Sequence, residues 1–345
     1  MNVAPSIAPR RTLGGSDVTV SALGLGGGGL GNLYQAISDD AALATIARAL
    51  ESGMRFIDTA PFYGFGLSER RVGQALRAWT GERIALSTKV GRLLVPTPPV
   101  PPGTMRHSFI SSEPFEPVYD YSYDGVLHSH EESLRRLGVD RIDVLLCHDL
   151  GRRAHGDAHP ARLKEFLEGG YRAMRRLREE GTVGAIGLGV NECEICIEVL
   201  ASCELDCLLL AGRYTLLEQG ALAELLPLCA RRNVSVIVGG PFNSGILAMD
   251  AAAGGATYDY RAAPRAIIER VERIAAVCRA FNVALPCAAL QFPLAHPQIA
   301  AVIPGCSSPE QAQRVVAWFN TRIPVEFWDA LRSADLLDRA APVPA

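Results

Sequence analysis

No stretch of this chain approaches the roughly 18 consecutive apolar residues that a membrane helix requires, and the opening MNVAPSIAPR has no apolar core of the kind found in a secretory signal. Charge of one sign is also scarce. Thirty-four Lys and Arg face 37 Asp and Glu, a formal net charge of -3, with a pI near 6.2. The basic stripe on which nucleic-acid binding rests is missing. Also absent are internal repeats and any low-complexity linker that would split the 345 residues into two domains. These absences direct the reading toward one cytoplasmic domain, residues 11–340, that handles a small molecule rather than a nucleic acid or a membrane. No sequence feature points to an oligomeric state.

Paired cysteines and metal-ligand spacings are missing as well. The nine cysteines sit in apolar segments, where free thiols act as small core hydrophobes. Cys193-x-x-Cys196 lies in a helical stretch without a second pair at zinc-like spacing. His128 and His130 would point apart on a helix, and His155 and His159 are expected to be solvated in a polar loop. No metal is expected.

What the chain does have is a core, at 48% hydrophobic residues, laid out in regular order. After a short hairpin ending in VTVSA, eight strand-like apolar runs follow: ALGLG at 22–26, RFIDTA at 55–60, IALSTKV at 84–90, IDVLLCHD at 142–149, AIGLGV at 185–190, CLLLAG at 207–212, SVIVGG at 235–240 and AAVIPG at 300–305. Amphipathic helical segments separate them. In 39–52, Leu43, Ile46, Ala47 and Leu50 form a stripe, and a helix opening at Pro264 places Ile267, Val271, Ile274, Ala275 and Cys278 on one side. Eight strands alternating with helices predict an α/β fold, a (β/α)8 TIM barrel. VEFWDALRSADLL adds a C-terminal helix. Residues 91–123, with seven prolines and no clean periodicity, form a long loop after the third strand. On a barrel that position is a lid over the active-site face.

Gly24-x-Gly26-x-x-Gly29 imitates the fingerprint of a dinucleotide-binding βαβ unit. The helix begins only near Asp39, however, and the candidate ribose acid, Asp58, lies 29 residues beyond Gly29. Both intervals are too long. On a barrel these glycines end the first strand, where a missing Cβ lets a flat ligand approach, so Gly27 is expected to touch a cofactor.

Four residues at strand ends carry the chemistry. Asp58 ends the second strand, Tyr63 follows it, Lys89 ends the third and His148 the fourth, and barrel closure brings those positions to one face. Phenol is a weak base at neutral pH, but a neighbouring ammonium would lower its pKa. The carboxylate would hold the lysine, and the imidazole would donate a hydrogen bond to a substrate oxygen.

RFIDTAPFYGFGLSERRVGQAL, STKVGR and RRLGVDRIDVLLCHD resemble the motifs of the aldo-keto reductase superfamily over residues 11–320. The resemblance implies a nicotinamide cofactor on a (β/α)8 barrel, a catalytic tetrad of Asp58, Tyr63, Lys89 and His148 with Tyr63 as general acid/base, and Asn191 at the carboxamide. It further implies a pyrophosphate loop at 239–247 with Gly240, Phe242, Asn243 and Gly245, and an adenosine segment at 302–311 with Gly305, Ser307 and Gln311. The chain departs from the family at Ala211, where a glutamine is usual, and at Gly239, where an aromatic stacks on the nicotinamide. Phe242 and Tyr214 are the substitutes considered. The cationic residues that grip a 2'-phosphate are replaced by Gly305, Cys306 and Gln311, which favours NAD over NADP, while Arg314 keeps NADP open.

The long insertion, GAIGLGVNE and LLAGRYTLLEQG are similar to the D-threo-aldose 1-dehydrogenase and pyridoxal 4-dehydrogenase group. The implied reaction is oxidation of an aldose of the L-fucose, D-arabinose or L-galactose type at C1 to its lactone. Tyr63, His148 and Tyr123 are expected at the substrate, and a pyridoxal-like substrate is the first alternative. A cofactor-bound regulatory barrel without turnover is the second.

Overall fold

The computed structural model describes residues 10–249 and 256–345; the residues before Arg10, which include most of the stretch without a secretory core, lie outside them. Eight parallel strands form one sheet: β1 Leu25–Gly26, β2 Phe56–Asp58, β3 Ala85–Val90, β4 Ile142–His148, β5 Val183–Val190, β6 Cys207–Ala211, β7 Ser235–Gly239 and β8 Ile299–Ile303. Parallel bridges from Leu23 to Val302 and from Gly26 to Gly305 close the ring. Helices cover the outside, as the eightfold alternation predicts.

Closure sorts the residues in the middle of each strand by parity. Phe56, Ala85, Val144, Leu146, Ala185, Cys207, Leu209, Ile237 and Ala301 fill the inside of the ring. Ile57, Leu86, Leu145, Cys147, Ile186, Leu188, Leu208 and Val236 face the helices. Period-two alternation then places Asp58, Ser87, Lys89 and His148 on the inward set, one or two steps above Phe56, Ala85 and Leu146. Polar residues are concentrated at the C-terminal mouth, and apolar residues lie beneath them.

The bottom of the ring is stoppered by the N-terminal hairpin, Arg10–Thr12 paired antiparallel with Thr19–Ser21. It carries Leu13, Val18 and Val20 into the same interior cluster. The helix Asp39–Glu51 is capped by Ser38, whose Oγ accepts from the Ala41 N–H. Its buried residues are Ala42, Thr45, Ile46, Ala49 and Leu50, while Ala47 faces water. The buried stripe is therefore rotated from the expected one, with Ala42, Thr45 and Ala49 joining Ile46 and Leu50. The Arg265–Ala280 and Val325–Ser333 helices follow their sequence patterns, burying Val271, Ile274 and Cys278 and Phe327, Trp328 and Leu331 respectively.

Residues 91–123 are more ordered than their prolines suggest. Arg92–Pro96 pairs antiparallel with Phe115–Tyr119, and Met105–Arg106 pairs with Phe109–Ile110. A bridge from Leu33 to Phe109 fastens the ribbon to the loop after β1. Among the described residues no single helix is long and apolar enough to cross a membrane.

Leu13 has no exposed surface. Leu13→Ala should cost about 2–5 kcal/mol through the cavity left beneath the barrel, read as a lowered urea midpoint at unchanged slope.

Candidate active site

Lys89 is the organising group at the mouth. Its side chain is 1% exposed. The ammonium donates to Asp58 Oδ2 at 2.7 Å, Asp58 Oδ1 at 2.9 Å and the Thr59 carbonyl at 2.9 Å. All three of its protons are thus engaged. Ser87 Oγ donates to Asp58 Oδ1 at 2.9 Å. Gly189 on β5 makes room for the lysine stem, since a Cβ there would lie 3.1 Å from Lys89 Cε. Tyr63 covers the pair, with the ammonium 4.7 Å from its ring centroid. The His148 ring stands edge-on to Tyr63, with centroids 6.0 Å apart and planes at 87°. Phe109 of the ribbon closes on Tyr63 at 6.2 Å. The structure therefore brings Asp58, Tyr63, Lys89 and His148 together at the C-terminal end of the ring.

Their protonation differs from the expectation in one respect. Tyr63 is pushed well above the ordinary phenol value, first by burial and then by the negative charge of Asp58. Lys89 does not draw it down, because its protons go to Asp58 and Thr59 and its charge is compensated there. Burial also raises the Asp58 carboxyl, opposed by Lys89 and Ser87. The imidazole of His148 is held down at about 3, again chiefly by burial. Near neutral pH the mouth presents a neutral phenol and a neutral imidazole side by side. Such a pair can transfer a proton to or from a substrate oxygen and donate a hydrogen bond to it.

Residues around the tetrad reinforce it. Tyr121 Oη lies 2.8 Å from the His148 carbonyl and 2.9 Å from His155 Nε2, so it can donate to one and accept from the other. His155 and His159 are not the solvated pair expected: His155 packs on Tyr119 at 4.4 Å, and His159 is buried with Nε2 3.0 Å from Glu198. Among the described residues no three His, Cys, Asp or Glu groups come together as a metal site. Burial pushes the Cys193 thiol up to about 11, the opposite of a reactive thiolate.

The residues expected at a cofactor lie mainly on the β5–β8 side. Asn191 follows β5, and its amide donates to Tyr260 Oη at 3.3 Å. Gly240 and Gly245, in the loop after β7, have φ of 54° and 98°. In the same loop Asn243 is buried, donating to the Gly212 carbonyl at 3.1 Å and accepting from Thr215 Oγ1 at 2.6 Å. Its side chain ties two loops together and is not free for a ligand. Phe242 meets Trp318, and Tyr214 is enclosed against Phe292 and His296, so both candidate stacking residues are engaged elsewhere. After β8, Gly305 leads to the helix Pro309–Phe319, capped by Ser308. Gln311 Oε1 accepts from Ser307 N–H at 2.8 Å and lies 3.1 Å from Ser307 Oγ. Arg314 is exposed on the first turns of that helix and has no ion-pair partner among the described residues. The positive end of a helix together with an exposed guanidinium suits a phosphate-bearing ligand.

Gly27 and Tyr123 have partners within the protein. Gly27 is buried, its N–H donates to the Asp58 carbonyl and its own carbonyl accepts from Ser68 Oγ. A Cβ at Gly27 would lie 2.6 Å from the Asp58 carbonyl oxygen, and one at Gly31 would lie 2.5 Å from the Tyr63 carbonyl carbon. These two glycines let the β1 loop press against the segment bearing Asp58 and Tyr63. Tyr123 starts the helix Tyr123–Leu137, and its hydroxyl meets Arg176 on the outside of the barrel. The ribbon ends before Tyr123, so the tyrosines of this segment that lie near the mouth are Tyr119 and Tyr121.

Other residues at the mouth escaped the sequence reading. Arg92 ends STKVGR, three residues after Lys89, and Asp149 ends CHD, next to His148. Their adjacency was a usable signal. Tyr260, Asp259 and Arg213 left no periodic trace.

Comparison with known proteins agrees with this geometry. Residues 22–336 match the model described as Aldo/keto reductase family. The chain belongs to the aldo/keto reductase family. The members of this family are oxidoreductases that work with a nicotinamide nucleotide. A pyridoxal 4-dehydrogenase of Microbacterium luteolum is 43% identical over 336 residues, covering 95% of this chain and 98% of that protein. A D-threo-aldose 1-dehydrogenase of a Pseudomonas species is 38% identical over 322 residues, covering 93% and 95%. Among solved structures, the holo form of aldo-keto reductase AKR11C1 from Bacillus halodurans superposes with a TM-score of 0.71 at 26% identity, covering 96% of this chain and 97% of that one.

Removing one member of the buried ion pair of this reductase should be costly. Lys89→Met leaves the Asp58 carboxylate buried without its partner and should lower stability by about 3–5 kcal/mol, whereas adding Asp58→Asn should restore part of the loss. Equal unfolding midpoints for the single and double variants would contradict this.

Proposed function

We propose that this aldo/keto reductase is an NAD(P)-dependent dehydrogenase that oxidises the hemiacetal carbon of a cyclic aldose to a lactone. The observation that carries the reading is the neutral Tyr63–His148 pair standing over the Asp58–Lys89 ion pair at the barrel mouth. The 38% identical D-threo-aldose 1-dehydrogenase supports the substrate class. A second reading has the same bond changes. Pyridoxal also forms a cyclic hemiacetal, the 43% identical relative bears that substrate's name, and Phe62 and Phe109 give the mouth an aromatic wall, with centroids 5.3 Å apart.

Asn191, Gly240, Gly245, Gly305, Ser307, Gln311 and Arg314 would hold the nucleotide, with Phe242 and the Asn243 backbone shaping its loop. When bound, the oxidised nicotinamide supplies the hydride acceptor for the hemiacetal carbon. Tyr63 Oη takes the hydroxyl proton as the carbonyl forms, and His148 donates a hydrogen bond to the same oxygen. Asp58 and Lys89 hold the phenol in place. The ribbon 91–123 acts as a lid that excludes water. With Gly305, Cys306 and Gln311 in the adenosine segment, the pocket offers a 2'-phosphate only Arg314, so NAD is favoured.

Tyr63→Phe should abolish turnover while nucleotide binding persists. The pH profile follows from the same groups. Burial raises the phenol, so the phenolate that accepts a proton becomes scarcer as pH falls, and kcat/KM for oxidation should climb by about tenfold per pH unit from 7 to 9. His148, held at about 3, should add no inflection between pH 5 and 8. A plateau below pH 8 would reject Tyr63 as the base. Rates with L-fucose, D-arabinose, L-galactose and pyridoxal, followed by reduced-nicotinamide absorbance with NAD and NADP in parallel, discriminate the two substrate readings. Arg314→Ala should raise KM for NADP more than for NAD.

A further inference from the structure

Next to the Tyr63–His148 pair lies a charged pair for which the hydride chemistry has no use. Asp149 follows β4 with φ of 49°, a backbone conformation that residues other than glycine rarely adopt. This turn brings its carboxylate back beside the imidazole it follows, with Oδ2 3.6 Å from His148 Nε2. Arg92, the first residue of the ribbon, donates from Nη2 to that same Oδ2. Among the described residues no hydrogen bond reaches Oδ1. The guanidinium cannot readily swing away, because its Cζ lies 3.8 Å from the Phe62 ring centroid and 4.4 Å from that of Tyr119.

A role limited to anchoring the ribbon would not call for an open carboxylate oxygen beside the active imidazole. The Asp149 side chain is partly exposed at the mouth, so this oxygen, with no donor from the described residues, is open to a ligand. With Oδ2 only 3.6 Å from His148 Nε2, the Asp149 carboxylate is near enough to the imidazole for the two to bind oxygens on neighbouring carbons of one sugar ring, the contact to Asp149 falling to the open Oδ1. A substrate whose reacting oxygen sits at Tyr63 and His148 would therefore bring its next oxygen to Asp149. We propose that Asp149, fixed by Arg92, accepts a hydrogen bond from the substrate hydroxyl on the carbon adjacent to the reacting one, and so selects substrates that carry a donor there. This inference rests on the cyclic aldose reading above. Arg92 acts through Asp149 and is a positioning residue. Charge supports the assignment: although burial raises the Asp149 carboxyl, the Arg92 guanidinium beside it holds it below the ordinary value, so it stays an acceptor. An ionised carboxylate makes the stronger, charge-assisted bond to a hydroxyl.

The test compares kcat/KM for L-fucose and 2-deoxy-L-fucose in the wild type, Asp149→Asn and Asp149→Gly. Asparagine and glycine both tolerate the left-handed turn, and nucleotide titration checks that each variant is folded. The wild type should prefer the hydroxylated sugar by at least about tenfold, as expected for a hydrogen bond to a charged group. That preference should shrink in Asp149→Asn and vanish in Asp149→Gly. Equal rates on the two sugars in the wild type, a comparison that needs no variant, would overturn the assignment. So would variants that slow both sugars in the same proportion, which is the mark of a role confined to positioning His148. In both cases the function proposed above would stand. Turnover of neither sugar by the wild type would overturn that function and this inference together.

Discussion

The ion pair between Lys89 and Asp58 is the constraint on which the active site is built. Two opposite charges enclosed by the strands of a barrel are stable together only if every donor and acceptor finds a partner. The structure meets that condition with Ser87, the Thr59 carbonyl and the space left by Gly189. The inward layer around the pair is small on the far strands, where Ala211 and Gly239 occupy the same parity as Leu209 and Ile237. Bulky residues there would fill the space above the lysine. Large side chains lie below the pair and small ones beside it, and this arrangement makes the end of a packed barrel into a site.

The same interaction limits what Lys89 can do. An ammonium that gives all its protons to a carboxylate and a carbonyl is a structural cation more than a tuning one. Burial then dominates the phenol above it, and the phenol is held protonated. That state suits proton donation to a carbonyl oxygen directly, and it makes the oxidative direction depend on alkaline pH. The neutral imidazole fits both directions, because it donates a hydrogen bond without competing for the proton.

Much of this could be read from the sequence because strand parity is local. An acid two steps above Phe56, a lysine four above Ala85 and a histidine two above Leu146 share the inward face by simple alternation, whatever the rest of the chain does. The ribbon could not be read in that way. Arg92–Pro96 finds its hydrogen-bond partners at Phe115–Tyr119, beyond a proline-rich connection that erases periodicity. Gly27 is a related case. Its neighbour across the ring is the Asp58 carbonyl, and nothing within its own segment distinguishes close packing against a strand from close approach to a ligand. Tyr123 was placed by its position in the chain, yet the single step from Ser122 into a helix carries its side chain to the outer surface.

The two halves of the mouth differ in how firmly they are held, and the difference follows from exposure. Asp58 and Lys89 are almost wholly buried, so breaking them costs several kcal/mol. Across the mouth, Asp259 joins Arg213 and Arg153, linking the loops after β4, β6 and β7, and Tyr260 rests on Asn191 at 3.3 Å. These contacts are partly solvated, and ion pairs of that kind contribute about 1 kcal/mol or less. The side that transfers a proton thus rests on buried charge, the side lined by Asn191, Asp259 and Tyr260 on partly solvated contacts, and the boundary between them runs along β5, where Gly189 packs on the lysine and Asn191, two residues on, reaches Tyr260.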